Sequence, residues 1–213
     1  MEDDATRSAV LTALTTEHFV LQSAASSTVS DAAARSSLYV FSMSSTVVAS
    51  GFISQSRDVF VPFIAAVLPA LFLLGVFTVV RLVDTVLENN QCLAGIARIR
   101  GYYRTLSPDA ATVFAAEYGR WPEAAPAPAL GLGRTLAFLG TTASMIAFIN
   151  SVVAGVGIAL LVTAAAGGDQ MGLGLIFGVV TVALLMGAFL AYERWRFRVA
   201  DVATADATTT SDT

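Results

Sequence analysis

Residues able to do chemistry are scarce in this 213-residue chain, which holds one histidine, His18, and one cysteine, Cys92. A single histidine rules out a multi-histidine metal site. Glu17 and His18 are neighbours, so on a helix their side chains diverge by about 100° and do not form a pair. His18 has the chemistry of a titrating switch at a membrane surface, but the plainer role, a histidine packed on a half-buried helix face, is preferred. Cys92 could meet His18 as thiol and base only if two helices fold together. A small apolar filler is the simpler role for one cysteine, and it can form no internal disulfide. No catalytic, cofactor-binding or metal-ligating residue is expected, and the chain reads as a non-enzyme.

The polar residues that remain sit in apolar surroundings. Asn150 is the one strongly polar side chain deep in an uncharged run. It could line an ion path, but a hydrogen bond to a neighbouring helix is the favoured role, worth about 1 kcal/mol. Ser42, Ser45 and Ala49 share one face of a hydroxyl-rich stretch, suited either to close helix approach or to lining a wet pore. Packing is preferred, because Ser and Thr can bond to their own helix's carbonyls. Gly174 and Gly178 form a GxxxG pair that lets two helices approach closely. Arg98, Arg100 and Arg104 alternate with Ile99, Tyr102 and Tyr103, and Arg194, Arg196 and Arg198 with Trp195 and Phe197. Such mixtures can bind nucleic acid, but beside a membrane the simpler partners are anionic phospholipid headgroups. Gly131-Leu-Gly133 has neither Walker nor Rossmann spacing and reads as a flexible connection.

The elements that must position these residues follow from where charge is missing. Hydrophobic residues make up 55% of the chain, charged residues 13%, and mean hydropathy is +0.70. Four runs carry no charge at all: Ser36–Ser56, Val59–Val80, Thr135–Gly168 and Gln170–Tyr192. Outside them the charged fraction rises to about a quarter, the value of a soluble domain. Each run is long enough to cross a hydrocarbon core as a helix, which takes about 20 residues. An ordinary soluble, disordered or disulfide-stapled chain is excluded. The expected fold is all-α and polytopic, with four transmembrane helices in two hairpins and a helical cytoplasmic layer.

The expected order is a cytoplasmic helix over 1–35, spans at 36–56 and 59–80, a helical segment and Pro-rich linker over 81–134, spans at 135–166 and 171–192, then a basic interface and disordered tail over 193–213. Residues 8–35 contain no Gly or Pro, and Leu11, Leu14, His18, Leu21, Ala25 and Thr28 recur at helical spacing. Nothing breaks this helix before Gly51, so it can run into the first span. Pro69 should kink the second span. Ser107-Pro108-Asp109 is a helix start, with an N-cap serine and proline in the first turn, and that helix should end near Gly119. All twelve basic residues are arginine, and eleven of them fall on the side that holds both termini and the middle segment. By the positive-inside rule that side is cytoplasmic, which places the chain in a plasma (inner) membrane with both termini inside. An acidic Met1-Glu2-Asp3-Asp4 start argues against a signal peptide.

Three segments resemble parts of small actinobacterial membrane proteins with no assigned function: Thr16-Glu-His-Phe-Val-Leu-Gln-Ser-Ala24, Gly51-Phe-Ile-Ser-Gln55 and Arg98-Ile-Arg-Gly-Tyr-Tyr-Arg104. The likeness covers about the first half of the chain and implies no catalytic residues. The layout is also similar to that of SLATT effectors of bacterial conflict systems, in which a cytoplasmic helix leads into a two-span hairpin. That similarity implies a membrane pore, although the second hairpin departs from it. Two functions are therefore expected in competition. One is a non-enzymatic membrane protein acting by helix-mediated assembly, as a homo-oligomer without nucleic acid. The other is an oligomeric pore lined by the serine-rich first span.

Overall fold

A computed structural model describes residues 2–114, 141–167 and 170–210. Within them the chain is helical, with no strand: α1 Glu2–Ile53, α2 Arg57–Arg104, α3 Pro108–Val113, α4 Thr142–Ala165 and α5 Met171–Thr210. Four of the five helices, all but α3, are long and apolar enough to cross a membrane, and α1 is the least apolar of those four. The described residues divide into two compact units, one within 2–33 and 84–114, the other within 34–83, 141–167 and 170–210.

Sequence dictates the long helices simply. With no Gly or Pro before Gly51, nothing stops α1, and it continues into the first span as one 52-residue helix. It ends at Ile53, and the turn of Ser54–Ser56 follows. There the Ser56 N–H donates to the Ile53 carbonyl, and the Ser56 carbonyl accepts from Val59 and Phe60 to start α2. α2 runs unbroken for 48 residues through Pro62 and Pro69.

In the first unit α1 lays a half-buried stripe against α2. Its members are Leu11, Leu14, His18, Leu21, Ala25 and Thr28, the positions that helical spacing picked out, and the residues between them are exposed. Ile96 and Ile99 of α2 are buried. A Cβ on Gly95 would come within 2.8 Å of Leu21 Cδ1, so the missing side chain makes room for the leucine. Lower on the same face the Thr28 hydroxyl donates to Asn89 Oδ1 at 3.3 Å. α3 opens as its sequence requires. Ser107 Oγ accepts from the Ala110 N–H at 3.0 Å, and Pro108 sits where its missing N–H costs nothing. The helix closes at Val113 with Phe114 as C-cap, earlier than Gly119, a residue that lies outside the described ones.

The second unit holds the spanning parts. α4 begins at Thr142, capped by Thr141, whose hydroxyl accepts from the Ser144 N–H at 3.1 Å. Residues 135–140 of the expected third span and the whole Pro-rich linker lie outside the described residues. α4 stops at Ala165, and Gly167 follows at φ +84°, a left-handed conformation that glycine takes without a Cβ penalty. α5 differs from expectation at its far end. It continues to Thr210, through the Ala/Thr/Asp tail that was expected to be disordered from Val199. Extending an existing helix by one residue avoids the nucleation cost that an isolated Ala/Thr segment would meet.

Candidate functional site

In the spanning unit α4 packs backbone to backbone against α5. Gly174 and Gly178 of α5 face Gly155, Ala159 and Thr163 of α4, small residues one turn apart. A Cβ on Gly174 would lie 2.6 Å from the Ala159 carbonyl oxygen and would strike the Thr163 hydroxyl. One on Gly178 would lie 2.8 Å from the Gly155 carbonyl oxygen, and one on Gly155 would lie 2.8 Å from the Gly178 carbonyl oxygen. The two backbones therefore touch directly, which only glycine permits. The expected packing role of Gly174 and Gly178 has a defined partner. Sequence reasoning missed Gly155-Val-Gly-Ile-Ala159, a second small-xxx-small pattern on the preceding helix.

Asn150 lies at the junction of three helices. It is 4% exposed, and its Oδ1 accepts from the hydroxyl of Tyr39, which is fully buried, at 3.2 Å. A Cβ on Gly75 of α2 would collide with the Asn150 carboxamide, so Gly75 supplies the space that Asn150 fills. This is the interhelical hydrogen bond favoured over an ion path. Its two other participants carried only faint sequence signals: a tyrosine inside a serine-rich span and a glycine inside a greasy one. Ser151, next in the chain, donates to its own helix at the Ala147 carbonyl.

The serine face of the first span is divided. Ser42 and Ala49 are half-buried and Ser45 is exposed. The hydroxyls of Ser42, Thr46 and Ser50 donate to the carbonyls of Leu38, Ser42 and Thr46 at 2.7–2.9 Å. They are satisfied locally, which suits them to an apolar setting. Apart from Tyr39 the span contributes little to the core. Leu38, Phe41, Val48 and Phe52 are 59–81% exposed. With exposed Ser45 they follow the three- and four-residue spacing of a helix-pairing seam.

The arginines separate into two kinds. Arg98, Arg194 and Arg198 are exposed, as a headgroup contact requires, while Arg104 and Arg196 are half-buried. Arg100 is a correction. It is 8% exposed, with its guanidinium over the Phe114 ring at 5.6 Å and Nη2 donating to the Phe114 carbonyl at 3.4 Å. Tyr103 packs on the same ring at 5.3 Å. Arg100 thus fixes α3 to α2 within the first unit, and its charge is directed inward. Glu193, next to the cluster of Arg194, Arg196 and Arg198 in the chain, is 3% exposed, and its Oε2 has no hydrogen-bond partner among the described residues.

His18 and Cys92 do not meet as a pair. The contacts Leu21–Gly95 and Thr28–Asn89 set an antiparallel register that puts His18 level with Arg98 and Ile99. Cys92 is therefore displaced along α2 by about 9 Å. His18 Nδ1 is buried without a hydrogen bond. Among the described residues, no three of His, Cys, Asp and Glu gather as a metal site would need. No protein-family model, curated protein or solved structure matches the chain. Any functional reading therefore rests on the geometry.

Proposed function

We propose that this chain is a non-enzymatic, multi-pass membrane protein that acts by assembling through its first span with a second copy of itself. The observation that carries the reading is the outward side of that span. Leu38, Phe41, Ser45, Val48 and Phe52 form a seam that the described helices leave exposed. Locally bonded hydroxyls on the neighbouring face have their donors satisfied without water, so that face can pack in an apolar setting, and this supports assembly over the competing pore. The second hairpin, closed on itself through its glycines, serves as the anchor.

In this reading the protein resides in a plasma (inner) membrane with both termini in the cytoplasm, and exposed Arg98, Arg194 and Arg198 meet anionic phospholipid headgroups. Eleven arginines on one side support that orientation. A fluorescent protein fused after Thr213 should then light up, and a phosphatase inserted near Asp169 should be active. The reverse pair of results overturns the orientation. Assembly is tested by mass determination of the full chain in mild detergent, together with ion flux in liposomes. The proposal expects an oligomer without flux. A strict monomer refutes it, and flux abolished by Ser42→Leu, Ser45→Leu and Ala49→Leu together would establish the pore in its place.

A further inference from the structure

The spanning unit has a partly open cavity of about 240 Å³ between α2, α4 and α5, lined by Phe72, Val79, Asn150, Leu185, Phe189 and Tyr192 among others. Its wall is almost wholly apolar, and Asn150 is the exception that matters. The carboxamide oxygen is taken by Tyr39, while the Nδ2 amine, with two N–H donors, has no partner among the described residues. Asn150 lines the cavity, so this donor is open to whatever occupies the space. Besides this amide the wall carries the hydroxyls of Tyr192 and Ser151, and the Ser151 hydroxyl already donates to the Ala147 carbonyl.

Depth identifies the class of occupant. Asn150 is level with Gly75, and Arg81 lies six residues further along α2, about 9 Å of helix. Tyr39 lies four residues, about 6 Å, from Arg35 on α1. Both arginines lie at the ends of uncharged runs, where charge first returns, and so mark headgroup level. The free amide therefore sits one to two helical turns below headgroup level, where a bilayer lipid carries its ester carbonyls and first methylenes. We infer that the cavity is a binding site for an acyl lipid of that leaflet, with one ester carbonyl accepting from Asn150 Nδ2 and its chain filling the space between Phe72 and Phe189. The hydrogen bond is supplied by the one group in an acyl lipid's tail region that can accept it.

The ester itself provides the test. Purified full-length protein would be exchanged into detergent containing either ester-linked phosphatidylglycerol or its di-O-alkyl ether analogue of equal chain length, and retained lipid measured by native mass spectrometry. The two probes differ in the carbonyl and share headgroup and chains. Wild-type protein is expected to retain the ester lipid about fivefold better, the equivalent of one net hydrogen bond. Asn150→Leu should erase the preference. Tyr39→Phe, which removes the neighbouring hydroxyl but leaves the amide, should preserve it. Ala188→Phe, at an exposed position on the cavity wall, should reduce retention of both lipids by filling the space. Equal retention of the two lipids by the wild type, or retention unaffected by Ala188→Phe, overturns the assignment.

Discussion

Substituting alanine at two glycines of the same helix separates packing from propensity. Gly178 and Gly187 both lie in α5, and each gains up to about 1 kcal/mol of helix propensity on becoming alanine. At Gly187 the new Cβ meets nothing within 4 Å, whereas at Gly178 it stands 2.8 Å from the Gly155 carbonyl oxygen and 3.1 Å from Ala159 Cβ. Ordinary contact begins near 3.4 Å, so the α4 backbone must move away by about 0.6 Å. Backbone cannot swing aside as a flexible side chain would. Overpacking of this kind costs about 1–3 kcal/mol. Because the propensity gain is common to both variants, that cost is the difference between them, and it corresponds to about 2–12 °C in Tm for a chain of this size. The assay is thermal unfolding of both full-length variants in one mild detergent, followed by circular dichroism. Gly187→Ala should melt at or above the wild type and Gly178→Ala below Gly187→Ala by that margin. Equal melting temperatures would refute a glycine-mediated contact between α4 and α5.

Three further outcomes follow from other contacts. Gly75→Ala should destabilise the spanning unit by about 1–3 kcal/mol, because its methyl claims the space of Asn150; the double variant Gly75→Ala with Asn150→Ala should recover part of the loss, read as Tm. Arg100→Ala should speed amide hydrogen exchange across Pro108–Val113 by removing the guanidinium from Phe114, and Arg98→Ala, at an exposed arginine, should leave that segment's exchange unchanged. Glu193→Gln should melt at or above the wild type, since it keeps the shape of a buried side chain while removing a carboxylate oxygen that nothing bonds; a fall of several degrees would show that the charge is needed.

What could be read from sequence was what depends on local pattern. Uncharged runs gave the four spanning helices, six positions from Leu11 to Thr28 gave the half-buried face of α1, and Ser107-Pro108 gave the start of α3. Gly174 and Gly178 stood out because a GxxxG spacing lies on one helix. Their partner surface, Gly155 and Ala159, was harder to find, because only the hairpin register brings it opposite. Asn150 was legible as an interhelical donor or acceptor, but not its dependence on Tyr39 and Gly75, which lie 111 and 75 residues away. Arg100 was read with its basic neighbours because alternation with aromatics looks the same whether a side chain turns outward to headgroups or inward onto Phe114. The far limit of α5 escaped a rule based on apolar faces, since an Ala-rich tail can continue an existing helix without one.

Assembly through the first span is tested most directly by disulfide cross-linking in native membranes, with single cysteines introduced one at a time on a Cys92→Ala background. The account predicts covalent dimers at Leu38→Cys, Phe41→Cys, Ser45→Cys, Val48→Cys and Phe52→Cys, with a helical period, and none at Val179→Cys or Leu184→Cys on the exposed side of α5. Dimers that form at the α5 positions and not along the first span would contradict it, as would a chain that stays monomeric at every site.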